Sequence, residues 1–483
     1  MKNKHILIFF AALTVLSSCD FLDEFDPNKV TAGNYYASEA DVESTLNGVY
    51  ASLDQDYVIK NNHYFTDIRG GATIVANAGQ NSGIPYQFYN YTVTEENTYV
   101  YNRYSQLYKV IANANNLFLH LDDVTYADPA TRDTFEAEGR FLRALAFFYL
   151  VTEWGDVPLP LEALTSTDKV NAANVRKPKA EVYAAICNDL KFVTESPLAD
   201  VQSAADCGRA SKAAAWALWG KVLLQQACDE DFAAQKNVLL SDAITKLETA
   251  WGMRTFGELS SIKFNQIWDL NTQKSCPENI FQVNYLQGNA DLGSDWNWYY
   301  GPQESGITSK RNGEGQNSAT KEVFDSYEPG DVRQNYLYAY TYSGKTNYYT
   351  LKYADLDCGT DGYGGNNWIV LRYGDVVLML AEANYWSGRE DNAKTWLNMV
   401  RKRAGLGEWS GSDLRQAIYD ERLHELIQEG HRWQDMQRMY TNDEMIAHFS
   451  ALNSNFSAQD LLLPIPYNER IQNPDGLKQN PGY

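Results

Sequence analysis

FEAEGRFLRALAFFYLVTEWGDVPLP, residues Phe135 to Pro160, begins as an amphipathic helix and ends as a wholly apolar one. Asp128 and Pro129 just upstream offer an N-cap and a first-turn proline. Glu136, Arg140 and Arg143 recur at i, i+4 and i+7, so they share one polar stripe, and Glu136 is placed to pair with Arg140. From Ala144 to Val151 the stripe vanishes. A helix that is apolar on every side must bury that end inside a large body. Gly155 supplies a left-handed stop and Pro158 prevents resumption. The pattern predicts a central core helix running into a fixed extended exit.

Around it, helical spacing marks Asp41–Leu53 and Tyr99–Leu121 on one side, and Pro178–Val193, Arg209–Ala227 and Val238–Trp251 on the other. The last two are joined by the polar turn Asp229–Asp231, and small residues in one face bulky residues in its mate, the logic of helical hairpins. A second hairpin runs from Leu371 through Ser387-Gly388 to Arg403. No strict period of about 34 residues exists, so any tetratricopeptide-like repeats are degenerate. Two stretches break the helical period. Asn61–Tyr91 reads as a long surface loop. Thr255–Trp368 is rich in Gly, Asn, Ser, Tyr and Trp, with strand-like alternation at Phe281–Tyr285 and Asn347–Tyr353. The fold class expected is mainly α: tetratricopeptide-like helical hairpins forming one large body, with long irregular loops and a few short strands.

The 483 residues carry a formal net charge of -21. That balance disfavours nucleic acid, whose phosphates reward clustered Lys and Arg, and an anionic membrane surface bound through a basic patch. Polar uncharged substrates fit it. The composition is unusual in its 33 Tyr and 12 Trp, rings that suit half-exposed recognition surfaces but equally fill helix interfaces. The six cysteines form no CxxC pair, so no zinc ribbon or redox motif is indicated.

Lys2 and Lys4 precede an apolar run from Ile6 to Leu16, the layout of a secretory signal and too short for a permanent span. Leu16-Ser17-Ser18-Cys19 resembles a bacterial lipobox. That likeness implies cleavage after Ser18, acylation of Cys19 and an acidic tether through residue 34, with residues 35–483 as one domain.

Five blocks carry a family likeness. Ala137-Glu138-Gly139-Arg140-Phe141-Leu142-Arg143-Ala144 with Trp154-Gly155-Asp156-Val157-Pro158-Leu159, and Ala112-Asn113-Ala114-Asn115-Asn116, are joined by Leu371–Ala383, where Gly374 replaces a commoner alanine. Ile418–Met439 and the proline-rich end, Leu463-Pro464-Ile465-Pro466 through Tyr483, complete the set. Together they resemble the SusD/RagB-like surface nutrient-binding lipoproteins of Bacteroidetes. The resemblance implies a lipid-anchored protein on the exterior of the outer membrane. It would bind glycans, or peptides in some members, without catalysis, and deliver them to a SusC/RagA-like TonB-dependent transporter. The proline-dense tail cannot join a helix and is expected to lie extended against the body.

The aromatic loops, about residues 61–97 and 255–368, match the family least and are expected to choose the ligand. Trp296, Asn297, Trp298, Tyr299 and Tyr300 form one candidate cluster, and Tyr86 and Tyr89 a second. In a strand, Trp296, Trp298 and Tyr300 would share a face. A sugar's axial hydrogens lie flat on such rings while Asn, Gln or Asp hold its hydroxyls. The alternative is a tucked-in loop whose rings shield the helices; the sequence favours neither.

No reactive or metal centre is indicated, and no cofactor is called for. Ser343-Gly344-Lys345-Thr346 lacks the first glycine of a phosphate loop, which would fall at Ala339, and no helix is predicted after it. His424-Glu425 lacks a second histidine, since position 428 is Gln428. Asp355, Asp357 and Asp361 have the wrong spacing for a calcium loop. The rival classes are an extracellular glycan hydrolase and a pure protein-binding scaffold. Replacing the acylated residue, Cys19→Ala, is expected to move the protein from membrane to soluble fractions on fractionated cells; unchanged membrane retention would contradict the lipobox.

Overall fold

A computed structural model describes residues 35–76 and 83–483. The signal-like segment, Cys19 and the tether through residue 34 lie outside the described residues. The principal helices are α1 (Glu39–Ala51), α2 (Thr98–His120), α3 (Pro129–Trp154), α4 (Lys179–Glu195), α5 (Lys212–Cys228) and α6 (Lys236–Gly252). They continue with α7 (Tyr373–Trp386), α8 (Glu390–Arg403), α9 (Leu414–Leu426) and α10 (Arg432–Met439). Helices α2, α3 and α4 pack in succession, while α5–α6 and α7–α8 form hairpins. In the first hairpin the close approach is literal: a Cβ added at Gly220 would fall 2.4 Å from Leu247 Cγ.

Helix α3 is the buried spine. Asp128 Oδ1 accepts from Ala130 N at 2.9 Å, and Gly155 takes φ +73° to end the helix. Arg140 Nε donates to Glu136 Oε1 at 2.7 Å, as the spacing predicts. The polar face is only partly solvated, however: Arg140 is half-buried, and the groups around it are buried in ion pairs. Arg143 is buried against Asp189 of α4 at 2.7 Å, and Glu138 is buried against Arg209 at 2.9 Å. The exit is fixed by the C-terminal tail. Trp154 Nε1 donates to Pro464 O at 2.9 Å, and Asn480 Nδ2 donates to Trp154 O at 3.0 Å.

Three antiparallel sheets are present among the described residues. The largest orders its strands β1 (Thr73–Ile74), β5 (Ser318–Ala319), β7 (Lys345–Thr350), β6 (Leu337–Tyr342). Strands β2 (Val157–Pro158) and β3 (Arg176–Lys177) pair, as do β4 (Asn279–Val283) and β8 (Trp368–Arg372). The GKT sequence belongs to the β6–β7 hairpin turn. Ser343 and Gly344 both have positive φ, the two-residue turn that suits twisted strands.

The expectation of a surface loop over residues 61–91 is corrected at its start. Asp56–Lys60 and Tyr64–Ile68 are two single π turns, and Tyr64, Phe65 and Ile68 are buried. Their apolar side chains enter the core without a 3.6-residue repeat, which hid the element from a periodicity search.

The second half closes on a buried ion network. Arg372, where β8 enters α7, meets Glu278 at 2.9 Å, Glu425 at 2.6 Å and Glu429 at 2.7 Å. Arg403 of α8 pairs with Glu278 and Glu425, and Arg333 reaches Glu421 at 2.7 Å and Glu425 at 3.1 Å. Gly374 is required here, since a Cβ would lie 2.3 Å from Arg372 Nη1. Burial alone would raise the Glu425 carboxyl, but Arg403, Arg372 and Arg333 outweigh it and hold the carboxyl well below the usual range. A depressed carboxylate stabilises the fold above its unfolded pKa of about 4.3, and that contribution is lost as pH falls through the folded value. Glu425→Gln is therefore expected to lower unfolding free energy at pH 7 by about 3–5 kcal/mol, with a smaller deficit at pH 3. Urea titration at both pH values measures it; an equal deficit at both would contradict the sign.

Candidate functional site

The spine positions a tyrosine shelf through one arginine. Glu153, one residue from the end of α3, binds Arg103 of α2 through Nε at 2.7 Å and Nη2 at 2.5 Å, both side chains fully buried. Arg103 Nη1 then donates to the carbonyls of Tyr57 and Val58 at 2.8 and 3.0 Å, anchoring the first π turn. Gln106 Oε1 accepts from Tyr57 N at 2.8 Å. The Tyr57 ring is thereby held at 4.8 Å, edge to face, from Tyr99 in the first turn of α2. Tyr99 meets buried Tyr64 at 5.4 Å, and the Tyr64 hydroxyl lies 3.2 Å from that of Tyr299 and donates to Gln316 Oε1 at 2.8 Å. Tyr299 OH donates to Asn61 Oδ1 at 3.2 Å.

Tyr57, Tyr99 and Tyr299 are half-buried, as are Asn61, Asn102 and Glu314 beside them. Burial pushes all three phenols up, against a lowering hydrogen bond from Asn102 at Tyr57 and from Tyr64 at Tyr299. They are neutral hydroxyls at neutral pH. Asp56 and Asp295 flank Lys60 at 3.9 and 4.0 Å and give the shelf an acidic rim. Half-exposed ring faces with amide and carboxylate groups around them can hold a polar ligand with an apolar face.

The sequence candidates fall in different places. The strand expected over 296–300 is instead a short helix, Trp296–Tyr299, so the three rings do not share a face. Trp296 is 1% exposed and Tyr300 is 0% exposed, which corrects the expectation that they present their rings to the medium. Trp296 packs among Tyr285, Trp368 and Tyr300 and donates through Nε1 to Asn366 O at 3.0 Å. Tyr300 OH lies 3.2 Å from His63 Nδ1. Asn297 is also buried, with Nδ2 donating to Ser309 Oγ at 3.3 Å. Trp298 is buried beneath the Arg311 guanidinium, 3.4 Å from its ring centroid. Once Asp295 starts a helical turn, Trp296 and Tyr300, four residues apart, point into the layer between β8 and the second π turn. Asn297 and Trp298 are covered from the other side by the segments around residues 309–311 and 358–362.

Tyr299 alone of the cluster reaches the shelf. Tyr86 and Tyr89 lie on the short helix Tyr86–Asn90 and stack at 5.5 Å, with Tyr89 39% exposed. Their neighbour Phe88 packs on Tyr64 and Phe65, which sets this pair beside the shelf. Sequence reasoning missed Tyr57, Tyr99 and Asn61. The signal existed on α2, where Tyr99, Asn102 and Gln106 recur at i, i+3 and i+7 beside the apolar stripe of Val100, Leu107 and Ile111.

Two family models match this chain: one described as SusD family over residues 288–483, and one described as starch-binding, associating with the outer membrane, over residues 20–224. The chain belongs to the SusD/RagB-like family. It is similar to SusD-like protein P2 of Formosa agariphila, 26% identical over 524 residues and covering 100% of both chains. It is also similar to a laminarin-binding SusD-like protein of known structure, 26% identical with a TM-score of 0.76, covering 93% of this chain and 100% of that one. The fold matches surface glycan-binding protein A of Bacteroides thetaiotaomicron in complex with laminarihexaose, at 19% identity and a TM-score of 0.74, over 92% of this chain and 99% of that one. This SusD-like chain carries the family's helical body.

Because Trp296 is a core residue here, Trp296→Ala is expected to cost about 3–5 kcal/mol of stability. Urea unfolding of the purified protein measures this; a midpoint matching the parent would mean the ring is not part of the core.

Proposed function

We propose that this SusD-like protein captures glycan chains at the cell surface on the Tyr57–Tyr99–Tyr299 shelf, without catalysis, and passes them to a SusC/RagA-like TonB-dependent transporter. The observation that carries the reading is the shelf itself: three half-exposed tyrosines, Tyr57 anchored through its backbone by the Glu153–Arg103 pair and Tyr299 bonded to Asn61, with Asn102 and Glu314 around them. Aromatic faces take the apolar face of each sugar, and the amides and carboxylate take its hydroxyls. Tyr86 and Tyr89 extend the ring surface on one side, while Trp298 supports Tyr299 from below at 5.7 Å. The relatives' names support glycan over peptide, since one binds laminarin and another is a surface glycan-binding protein.

An acylated Cys19 would hold the protein on the outer face of the outer membrane, in keeping with the family model's description. Each stacked ring contributes on the order of 1 kcal/mol, so binding is expected to be reversible on the scale needed for transfer.

Calorimetric titration against a panel of maltotriose, soluble starch, laminaritriose and laminarin tests the reading. The parent is expected to bind at least one sugar family, and Tyr57→Ala is expected to weaken that binding by about tenfold with an unchanged circular dichroism spectrum. Failure of the parent to bind any of the four, or an unaltered affinity in Tyr57→Ala, would overturn it.

A further inference from the structure

The β6–β7 hairpin carries a second row of rings. Tyr338, Tyr340 and Tyr342 alternate along β6 and so face one side of the sheet. Tyr338 and Tyr342 are 37% and 52% exposed, among the most open aromatic residues of the described chain. The Tyr338 and Tyr340 rings lie 6.5 Å apart and 21° from parallel. The Tyr340 hydroxyl bonds to Glu304, which pushes its pKa up to about 12. Across the ladder, Tyr349 stands opposite Tyr338, Asn347 opposite Tyr340 and Lys345 opposite Tyr342.

The sheet does not need these rings for its core. Its other face already packs Tyr348 flat on Phe324 at 4.2 Å, with Leu337, Ala319, Val323 and Ile427. A cross-strand pair accounts for Tyr338 beside Tyr349, but Tyr342 projects at the hairpin tip beside exposed Lys345. Strand β6 is also the sheet's edge and carries no charged residue or proline of its own to discourage pairing.

The row is tied to the shelf by three consecutive residues. Glu314 borders Tyr299, Gly315 lies against Tyr349, where a Cβ would come within 3.1 Å of the ring, and Gln316 accepts from Tyr64 OH. Tyr349 in turn meets Tyr340 at 6.4 Å. We infer that Tyr338, Tyr340 and Tyr342 form a second glycan platform that takes the far end of a chain seated on the shelf. The protein then selects polymers over short oligosaccharides. Rings repeated along a strand at about 6.8 Å suit a linear chain of sugars, each ring offering one flat face, better than a compact ligand. Exposed Glu304 and Lys345 supply polar groups alongside, as hydroxyls require. This inference rests on the glycan-capture reading.

The test uses the Tyr338→Ala/Tyr342→Ala double variant, two exposed positions, with the trisaccharides and polymers of the panel. The parent is expected to bind the polymer more tightly than the matching trisaccharide. The double variant should lose about fivefold to fiftyfold on the polymer and change less than about twofold on the trisaccharide. Tyr57→Ala should weaken both. Polymer affinity equal to the parent in the double variant overturns the platform alone and leaves the shelf standing. A change in oligomeric state by light scattering, with polymer affinity unaltered, also overturns it, because β6 would then be pairing with another chain. No binding by the parent overturns shelf and platform together.

Discussion

Arg372 is the residue on which the second half of the molecule turns. Its guanidinium collects carboxylates from the start of β4, from α9 and from the turn after α9, and Arg403 and Arg333 complete the set from two other elements. Each of these charges has lost its water, so the network contributes less net stability than its contacts suggest. What it governs is which segments meet. A hydrophobic seam between the same elements could slide by a turn; a ring of arginines and glutamates with fixed geometry cannot do so without stranding a charge. Gly374 belongs to this constraint, because a side chain there would occupy the space of the Arg372 fork.

The first half is held by a smaller version of the same device, with a direct bearing on the candidate site. Glu153 and Arg103 join the end of the spine to the carbonyls of the first π turn. A π turn spreads the backbone so that successive carbonyls accept outside partners, and Arg103 takes two of them. Tyr57 is thus held in place by a fully buried ion pair and not by the loop that bears it. The shelf is preorganised, and on the proposed reading a ligand would meet rings that need little ordering on binding.

How much of this was legible differs by level. The helical body was read from spacing and from the family blocks, because α2 to α8 repeat their apolar residues at helical intervals and end on glycine or polar turns. The exit at Gly155 followed from glycine and proline, and the tail does lie against the body. The expectation that it is extended throughout is corrected by the helical turn Tyr467–Arg470, which starts directly after Pro466, where a proline costs no helical hydrogen bond. The display of rings was not legible. Trp296, Asn297, Trp298 and Tyr300 looked like a platform because alternation suggested a strand, and one helical turn sent them inward. Tyr57 and Tyr99 were overlooked because each sits in or beside a helix, where a tyrosine passes for packing. Whether a ring faces solvent depends on contacts such as Arg311 over Trp298, more than ten residues away in the chain. Composition carries no record of those contacts.

The clasp between Trp154 and the last residues joins positions 326 apart in the chain. The spine's end cannot be sealed before residues 463–480 arrive, and Arg176 adds a further tie to Lys478 O at 2.6 Å. Closure is therefore a late event by topology. A chain threaded across a membrane from its N-terminus would stay open along this seam until its final segment emerged, keeping it pliable in transit and committing it only on arrival.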